Sequence, residues 1–196
     1  QTARRVALHP DFWTWSLPER KTWFIKEVMV NHVPQEMLPD DLLAGARFNI
    51  VTSTCLSENE TKGYFKKVLG KQGARAAMKW FHDHGYGNAG ATSGHLIPDY
   101  ERVLKDGWRG IHEDLQERYT QLSEEEKKGK VGNQLRAMIT ASTMPRDLAS
   151  AYSHFYDGLS VEEEDPIRKN ELSQMSDILA RVPWEPPQTF WEAVQA

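Results

Sequence analysis

Arg181-Val-Pro-Trp-Glu-Pro-Pro-Gln-Thr-Phe-Trp-Glu-Ala-Val-Gln-Ala196 closes the chain, and its reading decides what kind of object the chain is. Thr189 and Glu192 have capping-box spacing, a hydroxyl at the helix start and a carboxylate three residues on. Phe190, Trp191, Ala193 and Val194 then supply the first turns of an apolar helix. Pro183, Pro186 and Pro187 make the stiff connector that feeds it. A helix opened so close to the last residue predicts a piece of a larger protein, with its chemistry in the remainder.

Working backwards, Pro166 opens a helix with Ile167, Leu172, Met175, Ile178, Leu179 and Val182 on one face. An acidic loop, Glu162 to Asp165, precedes it. A helical pattern runs from about Asn133 to Asp157, with Leu135, Met138, Ile139, Leu148, Ala149, Tyr152 and Phe155 on its face. Pro145 interrupts it and is expected to kink or split it. Ser123 to Lys130 reads as a solvated turn. Pro98 and Asp99 start the cleanest helix, whose stripe is Tyr100, Val103, Leu104, Trp108, Ile111, Leu115, Tyr119 and Leu122. Gly107 and Gly110 lie inside that stripe, each costing about 1 kcal/mol against Ala. Such a cost points to close packing against another backbone.

Residues 85–94 hold four Gly in ten and read as the one clear break in the chain. Before it, helices are expected over about 57–69, opened by the Ser57/Glu60 capping box, and over 74–84. Residues 34–56 read as extended loop with a short β-like run at 48–52. Ser16-Leu-Pro-Glu19 is a further capping box opening a helix with Phe24, Ile25 and Val28 on its face. The fold class is therefore mainly α, with no alternation strong enough for a sheet.

Composition narrows the function. The 196 residues carry 24 basic and 28 acidic side chains, net −4, without the basic stripe of a nucleic-acid binder. No run approaches the ~18 apolar residues of a membrane span. The single Cys55 excludes an internal disulfide and fits a reducing compartment. Its neighbours supply neither base nor positive charge, so a buried, inert thiol is expected. His82-Asp-His84 could offer metal ligands, but the i, i+2 spacing suits a strand, whereas these residues close a helix. The glycine-rich loop lacks the pattern of a phosphate cradle.

Gly94-His95-Leu-Ile-Pro-Asp99-Tyr100 is the strongest constellation. An imidazole and a carboxylate flank a helix start, where they could hydrogen-bond a polar ligand or move a proton. Asp99 as helix cap and His95 bonded to backbone is the competing account, favoured by side-chain chemistry alone.

The same segment, extended through Glu-Arg-Val-Leu-Lys-Asp-Gly107, resembles one in glycyl radical enzymes, the pyruvate formate-lyase-like proteins. Met37-Leu-Pro-Asp-Asp-Leu-Leu-Ala-Gly45, Asp165-Pro-Ile-Arg-Lys-Asn-Glu-Leu172 and Val182 to Gln195 are similar to further family stretches, in the family's order. The resemblance implies that residues 1–196 are the N-terminal, helical part of a ten-stranded α/β barrel, with no complete second domain. It implies a radical on a backbone Gly in the absent C-terminal part, installed by an activating enzyme that uses S-adenosylmethionine and an iron–sulfur cluster. A thiyl radical on an absent Cys would abstract hydrogen from a small substrate, and a C–C, C–O, C–N or C–S bond would then break. Dehydration and decarboxylation are expected ahead of pyruvate cleavage. No catalytic residue and no cofactor is expected on this chain itself. His95, and less directly Asp99, are the substrate contacts the resemblance implies. It further implies the cytoplasm of an anaerobe and admits a homodimer. A helical interaction or scaffold domain without chemistry is the rival expectation.

Overall fold

The computed structural model describes residues 6–45, 55, 57, 59 and 99–196. The chain divides into two compact units, Gln1–Thr52 with Asp99–Ala196, and Ser53–Pro98. The expected strand-like run, the helices between residues 57 and 84, the glycine-rich loop, His82, His84 and His95 lie outside the described residues. All regular elements described in the first unit are helical.

A 3₁₀ turn, Phe12–Thr14, leads into α1, Leu17–Asn31. Ser16 opens α1 as its sequence requires: the Glu19 carboxylate accepts from the Ser16 backbone N–H and hydroxyl. Phe24 and Val28 are buried one turn apart. The second stretch contains α2, Tyr100–Thr120; α3, Glu124–Lys128; α4, Lys130–Ser142; α5, Met144–Glu162; α6, Pro166–Arg181; and α7, Phe190–Gln195.

Three sequence readings need correction. Residues 124–128 are a short helix rather than a turn, because Ser123 and Glu126 form a capping box of their own. The apolar faces were read too wide: Ile167 is 71% exposed, off the buried stripe of α6, and Tyr100, Leu104 and Met138 are exposed as well. α2 is not one continuous rod: Gly107 has φ 65° and ψ 174°, which breaks it into two segments. The expected interruption at Pro145 is present as a split. α4 ends at Ser142, and Pro145 sits in the first turn of α5, where its missing N–H costs nothing.

The helices form two packed layers. α4 lies against α1, α2 and α3, while α5 and α6 form an antiparallel hairpin across a three-residue loop. Ala149, Tyr152 and Tyr156 of α5 meet Leu172, Met175 and Leu179 of α6 in the main core. Each large side chain buried there contributes about 1.5–3 kcal/mol. Ser153 and Ser176 face each other at the middle of the hairpin, each hydroxyl donating to the other's carbonyl at 3.0 Å. Small residues at that layer let the two backbones approach.

Arg136 joins the first layer. Its guanidinium donates to Glu19 at 2.6 Å, the Tyr119 hydroxyl at 3.2 Å, the Lys127 carbonyl at 2.8 Å and Asn133 at 2.6 Å. One side chain on α4 thus holds the start of α1 and the ends of α2 and α3. Lys26 of α1 bridges to the second layer, with Asp147 at 2.6 Å and the Thr143 hydroxyl at 2.8 Å.

Tyr156 is fully buried, yet its hydroxyl has no hydrogen-bond partner among the described residues. Burial, with the charges of Tyr152 and Asp41 nearby, pushes its ionisation up to about 12. Removing a polar atom that has no partner relieves a desolvation cost. Tyr156→Phe is therefore expected to leave stability within about 1 kcal/mol of the parent or to raise it. A loss of more than about 2 kcal/mol in chemical denaturation would mean that the hydroxyl is satisfied after all.

Candidate functional site

Three sequence segments separated by up to 151 positions come together on the α5–α6 hairpin. The strap at residues 37–45 crosses it, with Met37 and Ala44 against the core. Ala44 N–H donates to Gln195 at 2.7 Å, and the Gln195 amide returns a bond to the Ala44 carbonyl. The Trp191 indole donates to the Leu42 carbonyl, and Arg168 to the Asp41 carbonyl. An apolar cleft of about 150 Å³ lies where strap, hairpin and the residues around Pro183 and Gln195 meet.

The connector from α6 to α7 is fixed by buried charge. Glu192 accepts from the backbone N–H groups of Gln188 and Thr189 and from the Arg181 guanidinium at 3.0 Å. Arg181 also donates to the Pro186 carbonyl at 2.9 Å. The Arg181 hydrogen bond is the main reason the Glu192 carboxyl is held below the usual carboxylate range. The capping box at Thr189 is thus formed, with Arg181 as an additional partner that spacing alone does not reveal.

The connector also grips α2. Trp108 N–H donates to the Pro183 carbonyl and Arg109 N–H to the Trp184 carbonyl, both at 2.9 Å. Arg109 pairs with Glu185 at 3.0 Å. A Cβ on Gly107 would stand 2.9 Å from backbone atoms of Glu185 and Pro186 and closer still to the Trp184 carbonyl. The close backbone approach expected of this glycine is what the structure contains. Gly110 differs, since a Cβ there would meet the Asp106 side chain of its own helix.

Asp99 sits at the start of α2, exposed. Its Oδ1 accepts from Arg102 N–H at 3.2 Å, so it is the helix cap. Its Oδ2 makes no hydrogen bond among the described residues. Arg102 in turn donates from its guanidinium to Asp114 at 2.9 Å, and Arg118 donates to the other Asp114 oxygen at 3.1 Å. Those two hydrogen bonds hold the Asp114 carboxyl below its ordinary range. The Arg102–Asp114 contact was not legible in the sequence, because twelve residues of helix separate the two.

A larger cleft of about 420 Å³ opens between α5 and the end of α6, with Arg146, His154, Arg181 and Trp184 on its wall. Arg146 lies over the Trp184 ring at 4.9 Å and pairs with Asp147. Arg181 is paired with Glu192, so both cations of the cleft are compensated. His112 and Ser142 are 2.8 Å apart, but the Ser142 hydroxyl donates to the Ile139 carbonyl and is no activated nucleophile. Cys55 is fully buried. Among the described residues no group of three His, Cys, Asp or Glu side chains could hold a metal, and no helix is long and apolar enough to cross a membrane.

Glu19 and Asp147 are pulled two ways. Burial raises both, but hydrogen bonds from Arg136 and Ser16 to Glu19, and from Lys26 and Arg146 to Asp147, prevail and hold them low. With Glu192 they form a set whose folded ionisation lies below the unfolded values of about 3.9–4.3. Their contribution is complete above the unfolded values and is lost as pH falls through the folded ones. The midpoint of thermal unfolding should be level from pH 7 to about 5 and drop steeply below about 4. A midpoint unchanged at pH 3 would contradict these pairings.

The arrangement of these helices is that of enzymes already solved. It is similar to the glycerol-bound form of the B12-independent glycerol dehydratase from Clostridium butyricum, with a TM-score of 0.66 at 16% identity, over 91% of this chain and 28% of that one. A glycyl radical enzyme from Archaeoglobus fulgidus gives a TM-score of 0.65 at 21% identity, over 99% of this chain and 29% of that one. The fold is thus a mainly α portion of the glycyl radical enzyme fold. Residues 49–196 match the family model described as pyruvate formate lyase-like. The chain belongs to that family. It is 34% identical over 102 residues to isethionate sulfite-lyase of Oleidesulfovibrio alaskensis, across 51% of this chain and 12% of that protein. It is 33% identical over 128 residues to (2S)-3-sulfopropanediol dehydratase of Klebsiella oxytoca, across 63% of this chain and 15% of that protein. The matched residues therefore cover only 12% to 15% of the length of these curated relatives.

Proposed function

We propose that this chain is the helical N-terminal part of a glycyl radical lyase acting on a small hydroxylated substrate, with the hydrogen-abstracting Cys and the radical Gly outside the chain. Membership of the pyruvate formate lyase-like family carries the reading and weighs against a scaffold without chemistry. The names of the relatives narrow it: isethionate, sulfopropanediol and glycerol each carry a hydroxyl beside the bond that breaks. Dehydration or C–S cleavage fits that set better than the decarboxylation the sequence resemblance also allowed. The radical, installed by a separate activating enzyme, supplies hydrogen abstraction. This chain supplies substrate contacts and part of the wall that excludes water.

His95 and Asp99 are the proposed contacts. One oxygen of Asp99 is occupied by the helix cap and the other makes no hydrogen bond among the described residues, which supports reading it as an acceptor for a substrate hydroxyl. The cytoplasm of an anaerobe and a homodimer belong to the same reading.

The test is the full-length enzyme, activated without oxygen and offered isethionate, (2S)-3-sulfopropanediol and glycerol separately. Turnover of at least one, with release of sulfite or of an aldehyde, is expected. His95→Ala and Asp99→Ala should each raise KM about tenfold, the scale of one lost hydrogen bond to substrate. Unchanged KM and kcat in both variants would dismiss them as contacts.

A further inference from the structure

We propose that Asp114, through Arg102, is a positioning residue that sets where Asp99 stands. The inference rests on the proposed role of Asp99 in substrate binding.

The argument starts from reach. On an unbroken helix, residues 102 and 114 would be separated by about 18 Å along the axis. An arginine and an aspartate cannot span that, yet the guanidinium and carboxylate are 2.9 Å apart. The break at Gly107 is what folds the first two turns of α2 back towards the second segment. Among the described residues those turns are thinly covered: Tyr100 is 62% exposed and Leu104 40% exposed. Among the described residues two contacts fix their direction, the clasp of Trp108 and Arg109 on the connector and the Arg102–Asp114 pair.

Arg102 links this pair to the cap. Its backbone N–H is the group that Asp99 accepts, and its side chain is the group that Asp114 accepts. Asp99, Arg102 and Asp114 form one chain of hydrogen bonds, anchored on the segment of α2 whose His112 and Tyr119 meet Ser142 and Arg136 of α4. Losing the far end frees the near end without touching it.

The experiment uses the full-length enzyme. Asp114→Asn weakens the pair with little change of shape. Arg118→Ala is the control, because it removes the second partner of Asp114 and spares Arg102. In Asp114→Asn the amides of residues 100–106 should exchange about tenfold faster, while those of α5 and α6 keep their protection. KM should rise about fivefold with kcat within about twofold, and Arg118→Ala should change neither. The KM effect should vanish when Asp114→Asn is made in the Asp99→Ala background, since the two act through one group. Unchanged exchange at residues 100–106, or additive effects of the two substitutions, would overturn the positioning role. An Asp99→Ala enzyme with parental KM would instead sink the substrate-contact reading, leaving the exchange measurement to judge the bend.

Discussion

Gly107→Ala is expected to lower stability by about 3 kcal/mol, the combined scale of a strained backbone and an overpacked contact. At φ 65° an L side chain is disfavoured whatever surrounds it. Here the added methyl would also meet the Trp184 carbonyl and the backbone of Glu185 and Pro186. Main chain cannot rotate aside as a flexible side chain can. The connector must retreat, which breaks the bonds from Trp108 and Arg109 and loosens the first turns of α2. For a chain of this size the midpoint of thermal unfolding should fall by about 10 °C. A shift under about 2 °C would show that the backbone at this position is not as described.

Glu192→Ala should cost about 2–3 kcal/mol. The carboxylate satisfies two backbone donors and a guanidinium at once, and its removal leaves the two N–H groups without an acceptor and Arg181 with the Pro186 carbonyl alone. Glu192→Gln retains an oxygen for the cap but loses the charge facing Arg181, so about half of the effect should return. The readout is chemical denaturation followed by tryptophan emission, because Trp191 docks beside this site on the Leu42 carbonyl. Equal losses in the two variants would mean that the charge contributes nothing. No loss in either would mean that α7 does not depend on its cap.

Most helix starts were readable because capping uses neighbours in sequence. Ser16 with Glu19, Asp99, and Thr189 with Glu192 cap the helices where the sequence placed them, whereas Asp165, read as loop, proves to be the cap of α6. The stripe of α6 was readable for the same reason, apart from Ile167, which lies one turn before the buried face begins. Gly107 was legible as a close approach but not as a break. A glycine within a good 3.6-residue period reads as a tolerated cost, and only the partner backbone reveals the positive φ. Contacts such as Arg136 with Glu19, Arg102 with Asp114 and Trp191 with Leu42 have no local signature, since each depends on how distant elements dock. Of the proposed substrate contacts, Asp99 is visible as a helix cap, and His95 lies outside the described residues.

The α5–α6 pair has a consequence for how the chain reaches its final form. Its two helices are joined by only three residues, and their interior contacts span short stretches of sequence. Closing so small a loop costs little entropy, and local pairings of this kind are made quickly. The hairpin can therefore assemble early and serve as a nucleus on which the strap at 37–45 and the terminal helix are later laid down.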